Sequence, residues 1–207
     1  MNIIFCNHDL TDQMADELMQ TPDLAVDTEL TGLDVRGDKL CLVQMRARGD
    51  DNVYLVRIYD NRDYPNLCRV LGNRAVTKIF HYARMDMAMI YRRLGVWAVP
   101  TFCTKIGVLL ACTGVPHTLH GALQAIFGID ATGDGAASSW AGELSPRQLK
   151  YAAGDVEHLH LLHDYLRDAL MDKNKWDAAQ KCFDFLPTRC ALDLDWGTRD
   201  IFAHNPV

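Results

Sequence analysis

Two carboxylates stand two residues apart at the end of a short apolar stretch, at Asp27 and Glu29. The residues before them, 24–26, are typical of a buried strand. Side chains two apart on a strand point to the same face, so these acids are expected side by side. Two such charges about 4 Å apart repel by roughly 4 kcal/mol at an effective dielectric constant near 20. The pair therefore needs a cation, a shared proton or open water.

Two further acids lie where the fold could bring them to the same place. Asp86 comes shortly after an apolar strand at 76–80, in the first turn or so of a helix, near the sheet edge where α/β proteins usually hold ligands. Asp155 lies four residues after Tyr151, so the two share one helix face. Small residues between them let that face approach another element closely. Together with the first pair, these acids form a hard-oxygen donor set that suits Mg²⁺ or Mn²⁺.

The composition describes an ordinary globular chain of mildly acidic charge. The 207 residues are 49% apolar and 23% charged, with a formal net charge of −6. We expect one domain over residues 1–207, large enough to bury a core. The acidic charge argues against a long, sequence-blind grip on duplex nucleic acid, which needs rows of Lys and Arg. It leaves room for a short phosphodiester held through metal ions.

Cysteine usage and hydropathy bear on the compartment. Seven scattered cysteines, none in a Cys-x-x-Cys pair, indicate free thiols rather than a disulfide framework or a zinc site. No apolar run approaches 18 residues, and the N-terminus lacks the pattern of a secretory signal. We therefore expect a cytoplasmic protein that does not associate with a membrane.

The sequence between the acids predicts the elements that must position them. Three apolar stretches joined by polar turns, the first ending at Glu29 and the others at 40–45 and 53–56, predict an antiparallel meander. Further strands are expected at 2–6, 76–80 and 99–103. Helices are expected from about residue 11 to 19 and at 64–71, 84–94, 105–112, 119–127, 146–170 and 175–185. This order predicts an α/β fold with a mixed sheet flanked by helices and a helical C-terminal half. A ribonuclease H-like layout is one of several that fit the pattern.

Three motifs in this order resemble those of the DEDD exonuclease superfamily. They are Asp27-Thr28-Glu29, residues 81–86 and Tyr151-x-x-x-Asp155. The tyrosine of the third motif is typical of the DEDDy branch and of the RNase D-like family in particular. Supporting matches at 40–44, 103–106 and 144–156 extend the likeness over about residues 20–170. The tail from residue 182 to 204 is similar to that of the short bacterial nanoRNase C group, whose members degrade RNA dinucleotides.

The resemblance implies a metal-dependent 3'-to-5' exoribonuclease that hydrolyses very short RNAs, chiefly dinucleotides, to nucleoside 5'-monophosphates. It implies that two ions, Mg²⁺ or Mn²⁺, are held by Asp27, Glu29, Asp86 and Asp155 and activate a water for in-line attack. Tyr151 would then orient that water or help to deprotonate it. A phenol with an ordinary pKa near 10 is a poor base at neutral pH, which favours orientation.

Four residues are predicted to bind substrate: Thr28, Leu30, Leu33 and His81. Close relatives carry Thr-Leu after the first motif, whereas this chain carries Leu-Thr. Leu30 or Leu33 must therefore supply any apolar wedge against a base. His81 either contacts the substrate or is a satisfied histidine at a strand end.

Other polar groups receive weaker assignments. The helical spacing of His158, His160 and His163 does not match a metal site. His117 and His120 lack further zinc ligands, although contact with a substrate phosphate stays open. The three arginines at 46, 48 and 57 are expected on a solvated face, where one could meet a 5' phosphate. The loop at 132–135 lacks the Lys and Gln usual in the family, and Trp140 follows Ser-Ser instead of Ser-Asp, so neither supports a role in substrate selection.

The sequence leaves open three alternative functions and the packing of the C-terminal region. A broader RNase D-like exonuclease would trim tRNA 3' ends or single-stranded DNA. A catalytically inactive RNA-binding module would lack a carboxylate, and a zinc hydrolase would need ligand spacings that are absent here. The C-terminal helix and apolar tail, about 174–207, either packs on the domain or on a neighbouring subunit. The resemblance implies a homo-oligomer, a ring such as an octamer.

Overall fold

The computed structural model describes residues 1–131, 139–197 and 200–204. The strands are β1 (Asn2–Cys6), β2 (Asp23–Leu30), β3 (Leu40–Ala47), β4 (Asn52–Arg57), β5 (Thr77–Phe80) and β6 (Thr101–Cys103). The helices are α1 (Asp12–Met19), α2 (Pro65–Leu71), α3 (Ala83–Leu94), α4 (Thr104–Ala111), α5 (Leu119–Phe127), α6 (Pro146–Asp155), α7 (Leu159–Asp172) and α8 (Trp176–Trp196). The strands form one mixed sheet in the order β1-β4-β3-β2-β5-β6. The α/β prediction, with a mixed sheet and a helical C-terminal half, is confirmed.

The central strand β2 carries the first pair of acids. It pairs antiparallel with β3, which confirms the predicted meander, and parallel with β5 on its other side. Its first four residues, 23–26, are buried, as expected for a strand in the middle of a sheet. The register shifts between Glu29 and Leu30, where the strand ends. Asp27 and Glu29 therefore emerge at the C-terminal end of the central strand.

A tight turn joins β5 to α3. Tyr82, the residue before the helix, has φ of 69°, in the left-handed region that non-glycine residues rarely adopt. This turn starts α3 only three residues after β5 ends and places Asp86 in its first turn. The helix ends at Leu94, as predicted, and is followed by Gly95, whose φ is 72° and whose N–H donates to the carbonyl of Tyr91.

The single helix predicted over 146–170 is wrong, because the chain forms α6 and α7 with a break after Asp155. The N–H of Glu157 donates to the carbonyl of Gly154 at 3.1 Å, which tightens the end of α6 into a turn. The carbonyl of Glu157 accepts a 2.6 Å hydrogen bond from Arg46 of β3, so this free helix-end group is satisfied by another element. Because α6 ends at this break, Asp155 is its last residue.

Helix α8 is longer than predicted and packs on α3 of the same chain. It continues through Pro187, and Phe183 is among its buried residues. Asp193, only 1% exposed, accepts hydrogen bonds from Arg84 at 2.6 and 2.7 Å and from Arg189 at 2.7 Å. This ion pair ties the second-motif helix to the C-terminal helix.

The arginines expected on a solvated face instead contact protein groups. Arg46 holds the end of α6, and Arg57 is only 5% exposed. Arg48 pairs with Asp23 at 2.9 Å and with Asp164 at 2.7 Å. The expectation was wrong because each guanidinium satisfies backbone carbonyls or carboxylates of elements distant in sequence, which the linear pattern does not reveal.

Two expectations from composition can be compared with the structure. The seven cysteines are free thiols, and among them only Cys182 is exposed. Along the described ranges, none of the helices combines the length and apolar character that a membrane crossing requires.

Candidate active site

Three predicted carboxylates converge in one cleft. Asp27 and Glu29 come from the end of β2, and Asp155 comes from the last residue of α6. One carboxylate oxygen from each lies within 4.8 Å of the other two. All three side chains are half-buried. Acids separated by more than 120 residues in the chain therefore meet in one place, as the sequence predicts.

The fourth predicted acid, Asp86, lies next to this group. Its Oδ1 accepts a 2.6 Å hydrogen bond from the hydroxyl of Thr28, which lies between the two acids of β2. Asp86 is buried, and its charge contributes to the raised pKa values of Asp27 and Glu29. The first and second motifs are thus joined directly. Thr28 is a predicted substrate-binding residue, and its hydroxyl donates a hydrogen bond to Asp86.

The protein groups alone disfavour the charged forms of these carboxyls. Burial raises the pKa of Asp27 well above its usual range, and the negative charges of Asp86, Asp155 and Glu29 raise it further. Burial, then the charges of Asp155 and Asp86, raises the pKa of Glu29 to about 9. Burial raises the pKa of Asp86 to about 7, against the opposing hydrogen bond from Thr28. A bound cation would relieve this repulsion.

A buried amide beside Glu29 also fits a cation site. Gln44 of β3 is fully buried and is the register partner of Asp27. Its Nε2 lies 3.4 Å from the Glu29 carboxylate, while its Oε1 has no hydrogen-bond partner within the described residues. Clustered carboxylate oxygens are the ligands that Mg²⁺ and Mn²⁺ prefer. The donor set therefore fits a divalent cation.

Tyr151 lies one helical turn before Asp155 on α6. The helix begins with a capping box, in which Ser145 and Gln148 satisfy each other's backbone N–H groups, so its first turn is fixed. Burial, followed by the charges of Asp155 and Glu29, raises the pKa of the Tyr151 phenol above its usual range. The phenol is therefore a hydrogen-bonding hydroxyl at neutral pH.

These groups line an open cleft of about 530 Å³. The residues that line it are Asp27, Thr28, Glu29, His81, Thr118, Leu119, His120, Tyr151 and Asp155. The start of α5 forms one wall of the cleft. There His120 Nε2 lies 3.4 Å from Asp155 Oδ1, and this interaction raises the pKa of His120.

A family model described as 3'-5' exonuclease matches residues 1–171. The chain belongs to the 3'-5' exonuclease family. DNA polymerase I of Aquifex aeolicus is 33% identical over 181 residues, which are 86% of this chain and 29% of that protein. Ribonuclease D of Acidiphilium cryptum is 28% identical over 165 residues, which are 79% of this chain and 42% of that protein. The chain thus spans less than half the length of these curated exonuclease relatives.

Solved structures place the chain more narrowly within this exonuclease family. Brucella melitensis NrnC with bound Mg²⁺ is 38% identical, with a TM-score of 0.89 over 99% of this chain and 100% of that one. NrnC bound to pGG has the same identity and coverage and a TM-score of 0.90. Escherichia coli RNase D, at 21% identity and a TM-score of 0.81, covers 92% of this chain and 51% of that one and shares the fold. The chain is an RNase D-like exonuclease of the DEDDy type, close to NrnC, with a ribonuclease H-like fold.

The predicted substrate-binding residues of this exonuclease lie in different environments. His81 lines the cleft, but its ring nitrogens lie 2.9 Å from the Thr104 hydroxyl and 3.0 Å from the His117 carbonyl. Burial lowers its pKa to about 4, so it is a neutral histidine bonded within the protein. Leu30 packs partly against the core, and Leu33 is 80% exposed. Neither leucine is among the cleft-lining residues, and their roles stay predictions.

Sequence reasoning missed Gln44 as a member of the exonuclease site, and it assigned His120 nothing beyond an open contact with a substrate phosphate. Gln44 could have been found from strand register, because an antiparallel meander places it opposite Asp27. His120 carried a weaker signal, since Thr118 caps the start of α5 but nothing local shows where that helix points. The predicted loop at 132–135 lies outside the described residues. Trp140, which follows it, packs beside Tyr151 with ring centroids 6.3 Å apart.

Proposed function

We propose that the protein is a divalent-metal-dependent 3'-to-5' exoribonuclease of the cytoplasm that hydrolyses very short RNAs, chiefly dinucleotides, to nucleoside 5'-monophosphates. One observation carries the proposal: Asp27, Glu29 and Asp155 meet within 4.8 Å at the mouth of one cleft. Asp86 and Tyr151 lie beside them, so every member of the DEDDy residue set is present. An inactive RNA-binding module would have no need to hold this repelling set together.

The carboxylates of Asp27, Glu29 and Asp155, together with Asp86 beside them, would hold two ions, Mg²⁺ or Mn²⁺. When bound, the ions supply an activated water and stabilise charge on the leaving 3' oxygen. Gln44 fixes the orientation of the Glu29 carboxylate through its amide N–H. Burial and the charges of neighbouring acids raise the pKa values of Asp27 and Glu29, and a bound cation would offset both effects.

Tyr151 would orient the attacking water rather than remove its proton. Its ring lines the cleft beside Asp155, and its raised pKa keeps the phenol protonated at neutral pH. A protonated hydroxyl both donates and accepts hydrogen bonds, so it can fix the position of a water. Correct placement of the attacking atom is itself a large contribution to rate.

Three observations support a very short substrate. The chain matches the full length of Brucella melitensis NrnC, which was solved bound to pGG. The cleft, about 530 Å³, has the size of a small-ligand pocket rather than a long groove. The arginines of β3 and β4 that could have followed a nucleic-acid backbone are engaged with protein groups.

A length series of RNAs provides the test. Purified protein is incubated with pGG, with 5'-phosphorylated RNAs of increasing length to about ten nucleotides, and with the deoxy form of the dinucleotide. We expect nucleoside 5'-monophosphates from the RNA dinucleotide at the highest kcat/KM with Mg²⁺ or Mn²⁺, and none with chelator. Asp155→Asn serves as the inactive control.

Each other outcome of this series identifies a different function. A preference for the ten-nucleotide RNA, or for a tRNA with an extended 3' end, would favour the broader RNase D-like enzyme suggested by the names of the curated relatives. A preference for the deoxy substrate would indicate a DNA exonuclease. Binding without turnover would indicate an RNA-binding module, and stoichiometric zinc in the purified protein would indicate a zinc hydrolase.

We further propose that the protein forms a homo-oligomer, a ring such as an octamer. Support comes from the apolar side chains at the C-terminal end that do not enter the core, namely Trp196 at 67% exposure and Phe202 at 77%. Light scattering coupled to size exclusion tests this, and a monomer at micromolar concentration would contradict it.

A further inference from the structure

Arg57, at the end of β4, holds a backbone segment that no motif includes. Its Nη1 donates to the carbonyl of Trp140 at 2.6 Å, and its Nη2 donates to the carbonyls of Ala141 and Gly142 at 2.9 and 3.1 Å. The guanidinium is only 5% exposed, so these bonds replace its water shell. Three carbonyls converging on one buried cation fix the path of the segment at 140–142.

A side chain of α6 also binds the residue just before this segment. Gln148 donates from Nε2 to the carbonyl of Ser139 at 3.1 Å, and its Oε1 accepts from the N–H of Ser145 at 3.0 Å. The segment is therefore anchored both to the sheet and to the first turn of the helix that carries Tyr151. Its position is fixed relative to both elements.

Trp140 connects the anchored segment to Tyr151, which lines the cleft. Its side chain is 3% exposed, and its ring centroid lies 6.3 Å from that of Tyr151 at an interplanar angle of 39°. Aromatic pairs at this separation have a preferred mutual orientation. The buried indole therefore limits the positions open to the Tyr151 ring.

We propose that Arg57 is a positioning residue for Tyr151, acting through Trp140. The inference rests on the proposed function, in which the Tyr151 hydroxyl orients the attacking water. Arginine suits this place because its planar group presents several N–H donors in a fixed fork, whereas a lysine ammonium is a compact charge on a flexible stem and would hold the segment in a different geometry. In the described part of the chain, no carboxylate forms an ion pair with Arg57, so its bonds to this segment are its main polar contacts.

The first test compares steady-state kinetics of Arg57→Lys and Trp140→Phe on pGG with Mg²⁺. We expect kcat to fall about 10- to 100-fold for Arg57→Lys and less for Trp140→Phe, because small displacements of a positioned group have effects of this size. KM and the Mg²⁺ affinity measured by calorimetry should change by less than about twofold, within ordinary additivity error. Arg62→Lys is the matched control, since Arg62 also lies over the Tyr59 ring but is not part of this anchor.

A double-mutant cycle separates positioning from a general structural effect. If Arg57 acts through Tyr151, then Arg57→Lys with Tyr151→Phe should be no more than about twofold slower than Tyr151→Phe alone. Independent, multiplying losses would overturn the inference, as would a wild-type kcat in folded Arg57→Lys. Trp140→Phe with Tyr151→Phe repeats the cycle with a milder change if Arg57→Lys proves unstable.

Fluorine NMR tests the same geometry without turnover. With 3-fluorotyrosine incorporated, the Tyr151 resonance is the one absent from Tyr151→Phe. We expect Arg57→Lys and Trp140→Phe to shift or broaden it, and Arg62→Lys to leave it unchanged. An unmoved resonance in both anchor variants would overturn the positioning role. If the wild-type protein hydrolyses none of the RNAs, the proposed function fails, whereas this NMR result still decides whether the anchor orients Tyr151.

Discussion

The hydroxyl of Thr28 donates a 2.6 Å hydrogen bond to the carboxylate of Asp86. This bond joins the central strand to the helix of the second motif, and both residues are buried. Thr28 lies between Asp27 and Glu29 in β2 and lines the same cleft. A residue inside the first motif thus holds the acid of the second.

Thr28→Val removes this hydrogen bond while nearly preserving side-chain shape. We expect the turnover of pGG to fall about tenfold or more, because Asp86 loses the donor that fixes its carboxylate. The free energy of unfolding should fall by about 1 to 3 kcal/mol, the usual effect of removing the partner of a buried polar group. Denaturant unfolding and steady-state kinetics measure the two effects. Thr28→Ser retains the hydroxyl and should recover most of both, and equal losses in the two variants would contradict this account.

Asp86→Asn should abolish nearly all turnover and leave the fold intact. The amide keeps the size of the side chain but removes a charged oxygen ligand from the group. Circular dichroism and thermal unfolding check the fold, and product analysis with Mg²⁺ checks activity. A variant within a few-fold of wild type would show that Asp86 does not contribute to metal binding.

Tyr151→Phe should lower kcat about 10²-fold, because misplacement of an attacking atom has an effect of this size. The Mg²⁺ affinity should stay within about twofold, because the phenol is not a ligand. Calorimetry and steady-state kinetics on the same preparation measure both. An unaltered kcat would remove the role assigned to Tyr151, and a lost metal affinity would assign it a different one.

Metal binding should release protons and strengthen as pH rises. The protein groups alone raise the pKa of Asp86 to about 7 and that of Glu29 to about 9, so at neutral pH part of the site is protonated. A divalent ion needs the deprotonated oxygens, so its apparent affinity should increase between about pH 6 and pH 9. Calorimetry in two buffers of different ionisation enthalpy counts the protons. A pH-independent affinity without proton release would contradict the raised pKa values.

Glu29→Gln should make the metal-free protein more stable at pH 8. The pKa of Glu29, about 9 when folded, exceeds the ordinary value near 4.3, so the folded state binds more protons than the unfolded state between these values. Stability of the wild-type protein in chelator should therefore fall as pH rises through this window. We expect the midpoint of thermal unfolding of the variant to exceed that of wild type at pH 8 and to approach it at pH 5. A variant with a lower unfolding midpoint than wild type at pH 8 would contradict the raised pKa of Glu29.

The sequence predicted the parts of the site that depend on local pattern. The acids of β2, the end of α3 at residue 94 and the start of α6 at residue 146 each follow from residues within one or two turns. The break after Asp155 did not, because it is completed by Arg46 reaching from β3 to the Glu157 carbonyl. That contact spans 111 residues and leaves no periodic signal.

The same limit explains the misassigned arginines and the missing wall of the cleft. Arg57 reads as a polar residue at a strand end, yet its partners are carbonyls more than 80 residues away. His120 follows a recognisable helix cap, but the direction of α5 is set by packing. Resemblance to a family identified the acids, whereas the side chains that orient them required the fold.

The pairing of Arg84 with Asp193 has a consequence for where this enzyme may be cut. The family model ends at residue 171, yet the carboxylate that neutralises the second-motif arginine comes from beyond that limit. A fragment that ends at residue 171 would expose the side of α3 that packs on α8. It would also leave the Arg84 guanidinium, two residues from Asp86, without its Asp193 partner. In this chain the terminal helix therefore supports the helix that carries Asp86, through a carboxylate that lies beyond the family match.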